Sequence, residues 1–364
     1  MSAKKFLVIQ QKMIGDVLAS TIICQRLKNI YPNCIIHFVA NRNTIAVLEN
    51  NPNIDKLIIF EQKYRTSKLE FHKFLKSFRK TKYLAAIDAY GKLESNLITL
   101  FTEAEIKISH PKWYTKWIYT HTVKENLNPS NDIPLAFQNR LNLINPISSK
   151  LASEVLFPKI YLRADEIEKA QASLTTISNG TRQQFIMISI LGSGRNKTYP
   201  AQYMAEVLDL VCTNTEARLI FNYIPNQKDD VLEIYNKCNR ETKSQIAIDF
   251  YAESLRDFLA VLSQCIMLIG NEGGAVNMAK ALEIPTFCMF SPFILKGAWH
   301  NDNSQQHVGV HLKDYAPEQF ENLDKKEIKQ QIENLYTAFK PNLFSKSLLH
   351  FLALNYRTQN ETTA

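Results

Sequence analysis

Four short segments of the 364-residue sequence carry side chains that could do chemistry. Asp16 stands in Gln10-Gln-Lys-Met-Ile-Gly-Asp16-Val-Leu, where a strand-like run ends and a helical pattern opens. It can be read as a carboxylate capping the helix N-terminus or as an acid/base group at the mouth of a cleft. Asp88, in Ile87-Asp88-Ala-Tyr-Gly91-Lys92, could position a catalytic loop or cap the helix beyond it. In Leu191-Gly-Ser-Gly-Arg195-Asn-Lys197-Thr-Tyr-Pro200, Gly192 and Gly194 free backbone amides, Ser193 adds a hydroxyl, and Arg195 and Lys197 add charge. That composition suits a phosphate or diphosphate cradle; the alternative is a flexible basic loop. Gly270-Asn-Glu272-Gly273-Gly274-Ala-Val-Asn277 feeds a strand into a helix. Its exposed amides suit an anionic leaving group and Glu272 suits sugar hydroxyls, although the glycine pair could equally be a packing spacer. None of these loops is the dinucleotide G-x-G-x-x-G or the P-loop pattern, which argues against a nicotinamide dehydrogenase.

Parallel sheets are needed to bring such loops together. Strand-like runs at 6–10, 35–39, 57–60 and 84–88 alternate with helical patterns at 17–30, 44–49, 69–79 and 93–100. A second series of runs, at 185–190, 218–223, 246–248, 266–269 and 286–290, alternates with helical patterns at 201–213, 226–238, 254–264 and 274–282. This alternation predicts βαβ units in two separate parallel sheets, whose ligands bind at the carboxyl ends of strands. Glycine supports the placement. The chain has 10 glycines, against about 25 at average usage, and seven of them (15, 91, 192, 194, 270, 273, 274) fall in the four loops. Residues 125–165 break the rhythm with four prolines, so the predicted domains are 1–163 and 164–338. An apolar helix within 339–364 is expected to pack back on the first domain.

The formal net charge is +8, which points to an anionic partner. Residues 63–82 hold eight Lys or Arg, Lys63, Arg65 and Lys68 among them, against the single acid Glu70. Phe71, Phe74, Leu75 and Phe78 at helical spacing would bury one face and display the cations. A second basic and aromatic run spans 107–119. Either is a solvated face, or a surface for an anionic acceptor or bilayer; no nucleic-acid motif accompanies them. No apolar run approaches a membrane span, the N-terminus lacks a signal h-region, and six scattered cysteines without a CxxC pair suggest reduced thiols in a cytosolic protein.

The order of Met13-Ile-Gly-Asp16-Val-Leu, Ile87-Asp88-Ala-Tyr-Gly91, Asn196-Lys197-Thr-Tyr-Pro200, Glu272-Gly-Gly-x-x-Asn277 and Ala281-Leu-x-x-Pro285 resembles glycosyltransferase family 9, the lipopolysaccharide heptosyltransferases, over nearly the whole chain. The resemblance implies a GT-B fold, two Rossmann-like α/β domains facing across a cleft. It also implies an inverting transfer that uses no metal or cofactor, at the cytoplasmic face of the inner membrane. By that resemblance Asp16 is the general base and Lys197 neutralises the departing nucleotide diphosphate. Gly192, Ser193, Gly194, Glu272, Gly273, Gly274 and Asn277 would line the donor site, with ADP-heptose the expected donor. Lys12, Lys63, Arg65, Lys68 and Asp88 would face an anionic, lipid-linked saccharide acceptor. Where the family has Asp-Thr-Gly-x-x-His, this chain has Glu272, Gly273, Gly274 and Asn277. Another GT-B enzyme of the epimerase or phosphorylase type, or a non-catalytic sugar-nucleotide binder, is the alternative.

Overall fold

The run Phe6-Leu-Val-Ile9 is buried completely, as expected of a strand covered on both faces of a parallel sheet. In the computed structural model, which describes residues 3–129, 133–148, 155–178, 180, 183–301 and 304–356, this run is the centre of the first of two sheets. The chain divides into two units, residues 1–161 and 162–364.

The first unit holds β1 (Lys5–Ile9), β2 (Ile35–Asn41), β3 (Lys56–Phe60), β4 (Ala85–Asp88), β5 (Ile106–Ser109) and β6 (His121–Thr122). All are parallel, in the order β3-β2-β1-β4-β5-β6. That is the Rossmann order, with its switch point between β1 and β4. The helix Ile14–Ile30 follows β1 and stops at Tyr31, immediately before Pro32, where a residue preceding proline leaves the α region. The basic segment folds as expected: Ser67 caps the helix Lys68–Ser77 by accepting from the Glu70 amide. Phe74, Leu75 and Phe78 are buried against Phe60 and Tyr83. The helix expected at 44–49 is replaced by a 3₁₀ turn, Arg42–Val47. Strands β5 and β6 were not apparent in the sequence.

The second unit holds β7 (Phe185–Ser189), β8 (Arg218–Phe221), β9 (Met267–Asn271), β10 (Thr286–Met289) and β11 (His307–Val310). Its order is β11-β10-β9-β7-β8, again parallel throughout. The strand expected at 246–248 is reduced to one bridge, Ile246 with Leu219 of β8. Counting that bridge as a strand, the second unit repeats the connectivity of the first, with its switch point between β7 and β9.

The C-terminal helix corrects an expectation. Ser345–Asn355, expected on the first unit, belongs to the second. Leu348, Phe351 and Leu352 are buried in the second unit's own core. The Phe351 and Phe287 rings lie 5.7 Å apart, and Tyr356 Oη accepts from the Glu216 amide at 3.0 Å. Tyr199, Phe287, Phe339 and Phe344 form an aromatic floor in that core, which satisfies the apolar stripe locally. Residues 357–364 lie outside the described residues.

Candidate active site

At the first unit's switch point, Asp16 sits in the first turn of the helix Ile14–Ile30. Met13 is the N-cap, held at φ 62°, and no side chain caps the helix. Asp16 is therefore not the cap. Its Oδ1 instead lies 2.5 Å from Arg140 Nη2. Arg140 is on the helix Leu135–Asn142, within the proline-containing stretch 125–165 that breaks the strand–helix rhythm of the sequence. The guanidinium also donates through Nε to Ser20 Oγ at 2.9 Å and through Nη1 to the Ala136 carbonyl at 2.8 Å. Ser20 Oγ in turn donates to the Asp16 carbonyl at 2.8 Å. Asp16 keeps 32% of its side chain exposed while Arg140 keeps 11%, so the carboxylate is oriented by a more deeply set cation and still accessible.

Asp88, across the switch point, is fully buried and turned inward. Its Oδ1 accepts from the Tyr90 and Gly91 amides at 3.0 and 2.8 Å, and Gly91 takes φ 57°. Tyr119 Oη lies 2.7 Å from both Asp88 Oδ2 and Asn96 Oδ1. One phenolic proton serves one of the two; a protonated Asp88 would satisfy the other. Burial does push the Asp88 pKa up, opposed by these hydrogen bonds. The expectation that Asp88 touches the acceptor is thus corrected: it shapes the Tyr90–Gly91 turn. Burial also raises the Tyr90 phenol pKa, with Glu94, Arg65 and Asp16 acting on it electrostatically. Arg65 pairs with Glu94 at 3.4 Å and lies over the Phe60 ring. Lys12 is half-buried, and Lys68 starts its helix.

The second unit's switch point joins the two glycine loops. Gly192 cannot carry a side chain, because an added Cβ would lie 2.1 Å from the Lys197 carbonyl oxygen. Its amide donates to Thr198 Oγ1 at 3.1 Å, folding the loop back on itself. Gly194 is extended and would meet nothing nearer than 3.5 Å, so it is not sterically required. Ser193 and Arg195 are exposed at the loop tip. Asn271, at the end of β9, joins the loops. Its Nδ2 donates to the Ser189 and Ile190 carbonyls at 3.0 and 2.9 Å, and its Oδ1 accepts from the Tyr199 amide at 2.6 Å. Ser291 Oγ donates to the Asn196 carbonyl at 2.6 Å, fixing the loop from the β10 side.

This frame places Lys197 Nζ 3.6 Å from Glu272 Oε1, an ion-pair distance beyond hydrogen-bond reach. Glu272 Oε1 is buried and has no hydrogen-bond partner among the described residues. Burial raises the Glu272 pKa, partly offset by Lys197. A buried carboxylate oxygen without a hydrogen bond marks a place for an additional hydrogen-bond donor. Gly273 takes φ 150° with open space where a Cβ would be. It precedes the helix Gly274–Ala281, which no side chain caps. The first amides of that helix are available to an anion. Asn277 is half-buried one turn along. Among the described residues no group of three or more His, Cys, Asp or Glu is placed to hold a metal ion.

Residues 71–326 match the model of glycosyltransferase family 9 (heptosyltransferase). The chain belongs to glycosyltransferase family 9. It is an enzyme of the transferase class. It is 23% identical over 297 residues to lipopolysaccharide heptosyltransferase 1 of Campylobacter coli, covering 79% of this chain and 83% of that one. A family 9 glycosyltransferase of Veillonella parvula DSM 2008 superposes with TM-score 0.72 at 17% identity, over 92% of this chain and 97% of that chain. The E. coli heptosyltransferase WaaC with ADP gives 0.64 at 15%, over 91% and 99%. The fold class expected from the sequence, paired parallel α/β domains of GT-B type, is the one these structures share.

Within this family 9 transferase, Asp16 and Asp88 meet at one switch point, and Lys197, Glu272, Gly273 and Gly274 at the other. Arg140, Asn271 and Tyr119 were missed. Asn271 had a signal, since it directly precedes Glu272-Gly-Gly. Arg140 had none, because it pairs across 124 positions of sequence.

Proposed function

We propose that this transferase moves heptose from ADP-heptose to an anionic, lipid-linked saccharide of the lipopolysaccharide core, with inversion and without a metal ion. The observation that carries this reading is the buried Glu272 Oε1, ion-paired with Lys197 but without a hydrogen bond, at the opening of the Gly274–Ala281 helix. An ammonium and free amides suit a diphosphate, and a buried carboxylate oxygen suits the hydroxyls of the attached sugar. The similar E. coli heptosyltransferase WaaC, which forms a complex with ADP-2-deoxy-2-fluoro heptose, supports the donor.

In the reaction, Asp16 takes the proton of the acceptor hydroxyl as its oxygen attacks the anomeric carbon. The bond to the ADP oxygen breaks on the opposite face, and Lys197 with the Gly274 end of the helix takes up the charge on the leaving diphosphate. Arg140 orients Asp16. Lys12, Lys63, Arg65 and Lys68 supply positive charge toward an anionic acceptor. The enzyme would act as a peripheral protein at the cytoplasmic face of the inner membrane; no described helix is long and apolar enough to cross a membrane.

A thermal-shift screen against ADP-, GDP- and UDP-linked sugars tests the donor. Stabilisation by ADP-heptose above the other nucleotides is expected; preference for a GDP- or UDP-sugar would overturn the assignment. Full transfer in excess EDTA is the matching expectation for a metal-free mechanism.

A further inference from the structure

Trp113 and Trp117 are 91% and 72% exposed, although indole rings are normally well buried. With Tyr114 they form an aromatic turn between β5 and β6, and exposed Leu93 begins the helix beyond the β4 loop. The turn is built to present its rings. Ile118 and Tyr119 are buried and anchor it, Tyr119 through Asp88. Trp117 Nε1 donates to the Tyr114 carbonyl at 3.2 Å, so its one polar group is satisfied internally. The Trp113 and Tyr114 rings meet edge to face with centroids 5.5 Å apart. The Lys112 ammonium donates to the Gly91 carbonyl, which fixes the turn beside the loop after β4. Residues 106–124 contain four lysines (107, 112, 116, 124) and no Asp or Glu.

Indoles that keep a hydrogen-bonded N–H and an apolar ring side by side sit well at the headgroup level of a bilayer. Lysines interleaved with them add attraction to anionic lipid. A protein partner would have to match the shape of this turn; a bilayer requires only exposed rings and cations on one face. We propose that the 112–117 turn, with Leu93, is a docking surface for an anionic phospholipid bilayer. The surface adjoins the Gly91 loop, which shares the first unit's switch point with Asp16, so docking would bring that point to the lipid from which a lipid-linked acceptor is taken. The docking itself depends on no step of the transfer reaction.

The test uses the full chain without donor or acceptor. It is mixed with vesicles of phosphatidylcholine containing about 30 mol % phosphatidylglycerol, or of phosphatidylcholine alone. Co-sedimentation with the anionic vesicles is expected. Trp emission should shift blue and be quenched by brominated lipid. Trp299 is the sole other tryptophan, so the shift and the quenching should vanish in Trp113→Ser/Trp117→Ser. That variant should partition at least ten-fold more weakly, with its circular dichroism and its transfer to a water-soluble acceptor unchanged. Lys116→Glu, a single exposed change, should weaken binding to anionic vesicles and leave the small residual affinity for neutral ones. Absence of wild-type binding, undiminished binding by both variants, or concentration-dependent self-association abolished by the same substitutions would overturn the proposal. The last result would make the surface an interface between copies of the chain.

Discussion

Arg140 grips Asp16 through a 2.5 Å contact between Nη2 and Oδ1, while its other nitrogens hold Ser20 and the Ala136 carbonyl. With Asp16 about a third exposed, the pair adds little to stability, on the order of 1 kcal/mol. Its value is directional, because three anchors fix the guanidinium and the guanidinium fixes the carboxylate. A lysine ammonium cannot reproduce the planar fork that reaches all three. Arg140→Lys should therefore lower kcat about ten-fold or more with donor Kd unchanged. In an Asp16→Asn background the same change should cost nothing further, since residues acting as a unit are non-additive. Equal losses in both backgrounds would show that Arg140 acts elsewhere.

Lys197 forms an ion pair with the buried Glu272 Oε1 at 3.6 Å. Lys197→Ala should weaken ADP binding by about ten-fold to a hundred-fold, read by calorimetry, because a charge-assisted contact to phosphate is lost. Unchanged ADP affinity would remove the diphosphate cradle from the account.

Glu272 gives a pH-dependent prediction. Burial raises its pKa above the ordinary 4.5, so the folded state holds the proton more tightly than the unfolded chain. Ionising it costs stability; the cost is absent below the unfolded value and grows as pH rises through the folded one. Glu272→Gln should melt higher than wild type near neutral pH, the difference shrinking toward pH 4.5, and should bind the sugar nucleotide more weakly. A variant less stable at neutral pH would mean that Lys197 compensates the buried charge fully.

Two glycines two positions apart, Gly192 and Gly194, separate steric need from composition. Gly192→Ala forces a Cβ to 2.1 Å from a backbone oxygen and should destabilise by roughly 2–4 kcal/mol. Gly194→Ala, extended and uncrowded, should stay within about 0.5 kcal/mol. Thermal melts of the two variants decide it; equal effects would contradict the loop geometry.

The sheets were legible because their strands are short apolar runs set between helical patterns, and the four glycine-bearing loops fall at the two switch points that the strand order defines. What escaped notice had physical reasons. Strands β5, β6 and β11 lie toward sheet edges, and Ile106-Lys-Ile-Ser109 and His307-Val-Gly-Val310 are too mixed to read as buried runs. The 246–248 run is apolar, yet pairs with β8 only through the bridge of Ile246 to Leu219 and the Ala247 amide on the Leu219 carbonyl. The last helix packed at home because the second unit's aromatic floor covers its apolar stripe. At the site, local motifs placed Lys197 and Glu272, whereas the Asp16–Arg140 pair depends on a tertiary contact that no local pattern encodes.

The proposed role of Asp16 as general base is tested by transfer assays on Asp16→Asn with ADP-heptose and a lipid-linked core saccharide. The isosteric amide keeps the Arg140 contact and cannot take a proton. A loss of kcat of about a thousand-fold or more with donor binding intact is expected. Turnover near that of wild type would contradict it.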